Sequence, residues 1–232
     1  MHKRNLIGTN GRLINLLDGA EKIVFLAHGY WSGDSDGCTA DWQGKMAENI
    51  QNAEGQKVVT VILCWNSDVW ESMYQYWASV FGRSGRQSRF DIFSSVSTAC
   101  EAYYTVAAGF PTPYYYCASS TGKLGEMLGG VMRAIKEDTN ISYFHGIGHS
   151  LGAHIMGNVW NFGEFKMDRI SGLDPAGPCF NENTGDIEIE GNRWGLHKNA
   201  ANFVDNYHTD GDYYGTTILK GHLNLYAGNS VN

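Results

Sequence analysis

Several short segments of the chain are apolar almost without interruption. "KIVFLAHGY" (22–30) runs apolar up to a glycine, and "KVVTVILCW" (57–65) is rich in β-branched residues. "ISYFHGIG" (141–148), "RISGL" (169–173) and "NFVDNYH" (202–208) add three more segments of strand length. Continuous apolarity without alternation marks strands buried on both faces, the habit of a parallel sheet. Between them the period changes. Leu124, Met127, Leu128, Val131 and Ile135 recur at spacings of three and four, which gives one apolar helical face. A second helix is expected just after Ser150, through Leu151, Ile155 and Met156. Strands alternating with helices predict an α/β fold with a mostly parallel sheet and helices on its flanks. Residues 66–116 break this rhythm. They are aromatic-rich, carry "GRSGRQSR", and are expected to be an insertion with helices of its own inside a single domain over 1–232.

Candidate chemistry sits where one of these strands meets a helix, at "YFHGIGHSLGAH" (143–154). A Gly-x-Ser-x-Gly pattern is common by itself, and an ordinary glycine-rich turn carries the same letters. Here it follows a strand pattern and opens a helix pattern, which is the context a nucleophile elbow requires. Gly148 and Gly152 fit a bend too tight for β-carbons. Ser150 is therefore the candidate nucleophile, with the positive end of the next helix beside it. A serine hydroxyl also needs a base and an acid that orients the base, in the chain order Ser, then Asp or Glu, then His. "SGLDPAG" places Asp174 just past a short strand, at the carboxyl edge of the sheet. "FLAHGY" ends a strand at a glycine, so the Tyr30 and Leu151 N–H groups are candidates for an oxyanion hole.

Composition narrows the function classes. The chain has 232 residues, 43% hydrophobic and 18% charged, which suits one packed domain. Its formal net charge of −7 and lack of a basic run argue against nucleic acid as a partner. No apolar stretch approaches the roughly 20 residues that span a bilayer, and "MHKRNLIGTN" does not read as a signal peptide. No Gly-x-Gly-x-x-Gly follows the first strand, so a dinucleotide binder is disfavoured. The cysteines, at 38, 64, 100, 117 and 179, show no zinc spacing and leave both a disulfide-bonded and a reduced state open. "NIS" at Asn140 is a three-residue match to a glycan acceptor. No cofactor and no metal are expected.

The segments "GHSLGAH", "SGLDPAGPCF", "FVDNYHTDG" and "GHLNLY", in this order, resemble the pancreatic-lipase family of triacylglycerol lipases, type-A phospholipases and non-catalytic yolk proteins. The resemblance covers most of 21–225 apart from 66–116. It implies an α/β-hydrolase fold, Ser150 as nucleophile, Asp174 as acid, and Tyr30 and Leu151 as oxyanion donors. It also implies a lipid ester or other apolar ligand and an extracellular protein. The sequence departs from the pattern in three places. The family histidine and lid lie beyond the segment matching "GHLNLY", and the first strand is reduced. A calcium-binding "RLDPSDA" is replaced by "GLHKNAA", with His197 and Ala200 at its two aspartate positions, so no calcium site is expected.

The base is thus the open position. Of the three histidines after Asp174, His197 falls in a loop and His222 matches a non-catalytic family position. His208, at a strand end, has the required chain order and is the tentative base; a histidine from outside this sequence is the other option. His28 and His149 flank the site and are expected to pack or orient loops. Two functions follow. One is a serine hydrolase of lipid carboxylic esters. The other is an inactive lipase-like binding, storage or structural protein, for which 66–116 would form a ligand pocket or a self-association surface.

Overall fold

In the computed structural model the described residues are 17–30, 40–65, 112–180, 188–189, 192–211 and 214–227. All five strand expectations are met. They become β1 (Lys22–Ala27), β2 (Val58–Leu63), β3 (Tyr143–His149), β4 (Met167–Leu173) and β7 (Ala201–His208). A two-residue pair, β5 (Glu188–Ile189) with β6 (Asn192–Arg193), stands apart as an antiparallel ribbon. A short strand that the apolar runs did not signal, β8 (Leu223–Tyr226), joins the sheet edge. The six-stranded sheet has the order β2-β1-β3-β4-β7-β8, and every neighbouring pair is parallel. With its flanking helices this is an α/β-hydrolase-type fold.

Among the described residues three α-helices pack on the sheet. α1 (Asp41–Glu54) links β1 to β2; the apolar runs do not announce it, although Trp42, Met46 and Ile50 repeat every four residues. α2 (Thr112–Asp138) is longer than the apolar face at 124–135 predicts. α3 (Leu151–Asn161) begins where expected, directly after Ser150. The aromatic-rich stretch expected as an insertion lies outside the described residues from 66 to 111. Its last residues, 112–116, belong to the first turns of α2.

Alternation along the strands explains the two-sided core. One face presents Ile23, Phe25, Phe144 and Ile170 to α2 and α3, and the side chains there form the larger buried cluster. The opposite face presents Val24, Leu26, Val58 and Ile147 to Met46, Ala47 and Ile50 of α1. On that same face a polar chain crosses three strands, starting at His145 on β3, whose Nε2 lies 2.9 Å from Ser171 Oγ on β4. The Arg169 guanidinium donates to both oxygens of the buried Asp205 carboxylate (2.9 and 2.7 Å), and Ser171 Oγ donates to it at 3.0 Å. Burial alone would raise the pKa of Asp205, but these donors outweigh it and hold the carboxyl below its ordinary value.

α2 and α3 approach closely because small residues face each other. A β-carbon on Gly125 would lie 2.5 Å from the Asn158 backbone, and one on Gly129 would lie 2.6 Å from Gly163 Cα. Gly125→Ala should therefore separate the helices and cost about 1–3 kcal/mol, read as a lower urea midpoint with an unchanged slope. A wild-type midpoint would contradict this packing.

Candidate active site at the carboxyl edge of the sheet

The sheet brings Ser150 and Asp174 to adjacent strand ends. β3 and β4 remain in register to the pair His149↔Leu173, and Ser150 and Asp174 are each the next residue. Ser150 N–H donates to Leu173 O at 3.0 Å, and Asp174 N–H donates to Tyr207 O at 2.7 Å. Both residues are half-exposed. Both also hold left-handed backbone, φ 52° for Ser150 and φ 47° for Asp174. Non-glycine residues avoid this region at a cost of order 1–3 kcal/mol, and such outliers gather at functional sites.

The strain at Ser150 arises from a bend with no room for side chains around it. A β-carbon on Gly148 would meet the Gly152 backbone at 2.3 Å, and one on Gly152 would meet Ala27 O at 2.3 Å. Gly29 packs against the serine itself, where an added β-carbon would lie 2.6 Å from Ser150 Cβ. The turn after β1 is fixed by His28. Its Nδ1–H donates to Gly29 O at 2.8 Å, and its ring stacks on Trp65. Trp65 Nε1 donates in turn to His28 O. Tyr30, next along this turn, packs edge-on against Tyr114. Leu151 buries its side chain in the core, and its N–H is among the first of α3, which have no carbonyl one turn back.

Asp174 is oriented from one side. Its Oδ1 accepts the N–H groups of Thr209 (3.0 Å) and Asp210 (3.1 Å). Its Oδ2 has no hydrogen-bond partner among the described residues. Gly215 closes the space behind, since a β-carbon there would lie 2.5 Å from Asp174 Oδ1.

The histidines are mostly committed elsewhere. His208 is fully buried on β7; its ring nitrogens lie 2.9 Å from Thr216 O and 3.3 Å from Asn224 Oδ1, and it stacks on Tyr226. Neither nitrogen bonds Ser150 or Asp174, so the structure does not bring the tentative base to the pair. The reason is local: the chain after β7 folds back, and its Thr216 carbonyl captures the ring. His197 bonds Asn161 Oδ1 and Asn199 N–H, and His222 Nδ1 accepts from Val204 N–H. His149, beside Ser150, sits edge-on to Trp42, with Nδ1 buried and without a hydrogen-bond partner among the described residues. Burial lowers its pKa, opposed by the nearby Asp174 carboxylate. His154, not singled out from the sequence, ties α3 to the turn that carries Asp174. Among the described residues no His, Cys, Asp or Glu cluster suits a metal ion.

Cys64 and Cys179 are disulfide-bonded, and Cys117 is a buried thiol. No helix among the described residues is long and apolar enough to cross a membrane.

A family model described as Lipase matches residues 104–229, more than half of the chain. Lipase member H-B of Xenopus laevis is 34% identical over 114 residues, covering 49% of this chain and 23% of the relative. Phospholipase A1 of Vespa crabro is 35% identical over 132 residues, covering 54% of this chain and 41% of the relative. A putative endothelial lipase of Crotalus adamanteus is 34% identical over 120 residues, 49% of this chain. The matches thus span less than half the length of each of these relatives.

Neutral buried histidines give the fold a pH dependence. Burial, with the Arg169 and Lys22 charges, pushes the pKa of His145 down to about 3; burial, with Lys220, does the same for His154. In the unfolded chain both titrate near 6.5, so between these values the unfolded state holds more protons. Stability is fully present above about pH 6.5 and falls as the pH drops toward 3. Urea unfolding should show a loss of about 2–3 kcal/mol between pH 7.5 and 5.5, roughly halved in His145→Gln. A flat profile would show that these rings are not held neutral.

Proposed function

Because the chain belongs to the lipase family, we propose that it is built to hydrolyse carboxylic esters of lipids, with Ser150 as nucleophile and Asp174 as the acid of its triad. The observation that carries this reading is the pairing of two strained residues at neighbouring strand tips, a serine and a carboxylate in left-handed backbone. Such backbone costs stability, and a catalytic use of both side chains offsets that cost. In this reading Ser150 Oγ attacks the ester carbonyl and loses its proton to an imidazole. The tetrahedral oxyanion accepts the N–H groups of Tyr30 and Leu151. Collapse expels the alcohol, which takes up the proton, and water then cleaves the acyl-serine along the same path. Asp174 suits its part: two backbone N–H groups fix Oδ1 and leave Oδ2 to accept an imidazole N–H. The disulfide-bonded Cys64 and Cys179 support an extracellular setting.

A second reading rests on one specific observation. No described imidazole bonds both Ser150 and Asp174, which favours an inactive lipase-like protein that binds an apolar ligand. A fluorophosphonate ester separates the two. The expected result is covalent labelling of Ser150, none in Ser150→Ala, and a labelling rate lower by about 10³–10⁴-fold in Asp174→Asn. A folded wild-type chain that stays unlabelled would sink the hydrolase reading in favour of the binding one.

A further inference from the structure

The second histidine of "GHSLGAH" lies one helical turn past Ser150, on the first turns of α3. It is fully buried. Its ring stacks flat on Phe180, with centroids 3.5 Å apart and 4° between planes. Nδ1 accepts the Leu196 N–H at 3.1 Å. A nitrogen that accepts carries no proton in a neutral ring, so the proton is on Nε2. Nε2–H points at Ala176 O, 2.9 Å away. One tautomer therefore satisfies both contacts at once, and the wrong tautomer satisfies neither.

What the ring joins gives the arrangement its meaning. Ala176 is two residues beyond Asp174, in the turn that leaves β4. The far side of that turn is held by the segment that folds back after β7: Gly177 N–H donates to Tyr214 O, Thr216 N–H donates to Pro175 O, and Ala176 bridges Gly215. Its near side is held to α3 by His154. The Leu196 segment is clamped to α3 as well, through Gly195 N–H to Asn158 Oδ1 at 2.7 Å.

We propose that His154 is a positioning residue that locks the turn carrying the Asp174 carboxylate to the helix carrying the Ser150 hydroxyl. This rests on the reading of Ser150 and Asp174 as a catalytic pair. β3 and β4 alone fix the strand tips, but both residues lie just beyond the last register pair. Past that point each residue keeps one backbone bond to the neighbouring strand, Ser150 N–H to Leu173 O and Asp174 N–H to Tyr207 O, and a cross-brace from helix to turn adds to them in setting the relative orientation. The strand bonds hold the two backbones side by side; His154 adds the tie from α3 to the turn beyond Asp174, with its tautomer fixed from both ends.

Two variants and two readouts test it. His154→Phe keeps the stacked ring and removes both hydrogen bonds, and His154→Gln keeps one donor and one acceptor at similar reach. In amide hydrogen exchange, His154→Phe should speed the Asp174, Gly177 and Thr216 amides by about tenfold while the amides of β1 and β3 stay as in wild type. In fluorophosphonate labelling, His154→Phe should slow modification of Ser150 by about tenfold or more, and His154→Gln should recover most of the rate. If His154→Phe does not fold, the same comparison is made between His154→Gln and wild type, with both effects smaller but in the same direction. Wild-type exchange across 174–177, or a uniform rise over the whole sheet, would overturn the brace and leave a core residue. Labelling at the wild-type rate in a variant with loosened exchange would overturn its role in positioning. If wild type is not labelled at all, the catalytic reading of Ser150 fails, and the exchange data alone decide whether the brace exists.

Discussion

The structure depends on one close backbone crossing. α3 leaves the tip of β3 so steeply that the Gly152 backbone lies against the Ala27 carbonyl of β1 and the Gly148 backbone lies against Gly152. No side chain fits on either residue. This contact fixes the tilt of α3 over the sheet, and with it the burial of Leu151, Ile155 and Met156 in the larger core. It also forces Ser150 into left-handed backbone at the tip of β3. The same few atoms thus set the helix, the core beneath it and the place of the serine at its start.

Polar side chains on α3 then extend the order outward. Asn158 donates to Thr121 on α2 and accepts the Gly195 N–H in the segment before β7, while Asn161 donates to the Gly195 carbonyl and bonds His197. These groups are buried amides and imidazoles with named partners, so each satisfies a backbone group that would otherwise be costly to bury. The helix acts as a hub: apolar toward the sheet, and polar toward the irregular chain that crosses behind it. The segment 194–197, which has no regular secondary structure, keeps its place through these bonds.

Much of this was legible in the residues. Apolar runs without alternation announced the five main strands, because a strand covered on both faces leaves no polar positions. The glycines flanking Ser150 announced the bend, and the apolar run ending at Leu173 announced the place of Asp174 at the next strand tip. Other features left fainter marks. β8 is only four residues long and leans on β7, so its pattern is too short to stand out. α1 was missed although Trp42, Met46 and Ile50 share a face, since polar residues dominate its composition. The histidines were the hardest. Position at a strand end says that His208 is near the active edge, but only the path of the chain after β7 shows that a carbonyl at Thr216 has taken its ring. His154 carries an equally faint mark, because a buried imidazole looks the same in sequence whether it packs or braces.

The two left-handed residues at the strand tips have a consequence for substitution. Ser150 and Asp174 each hold backbone that glycine would adopt without strain. Glycine at either position would relieve the dihedral and at the same time strip a hydroxyl or a carboxylate from the rim of the sheet. Relaxation of the backbone and loss of the polar group are therefore one and the same change at both sites.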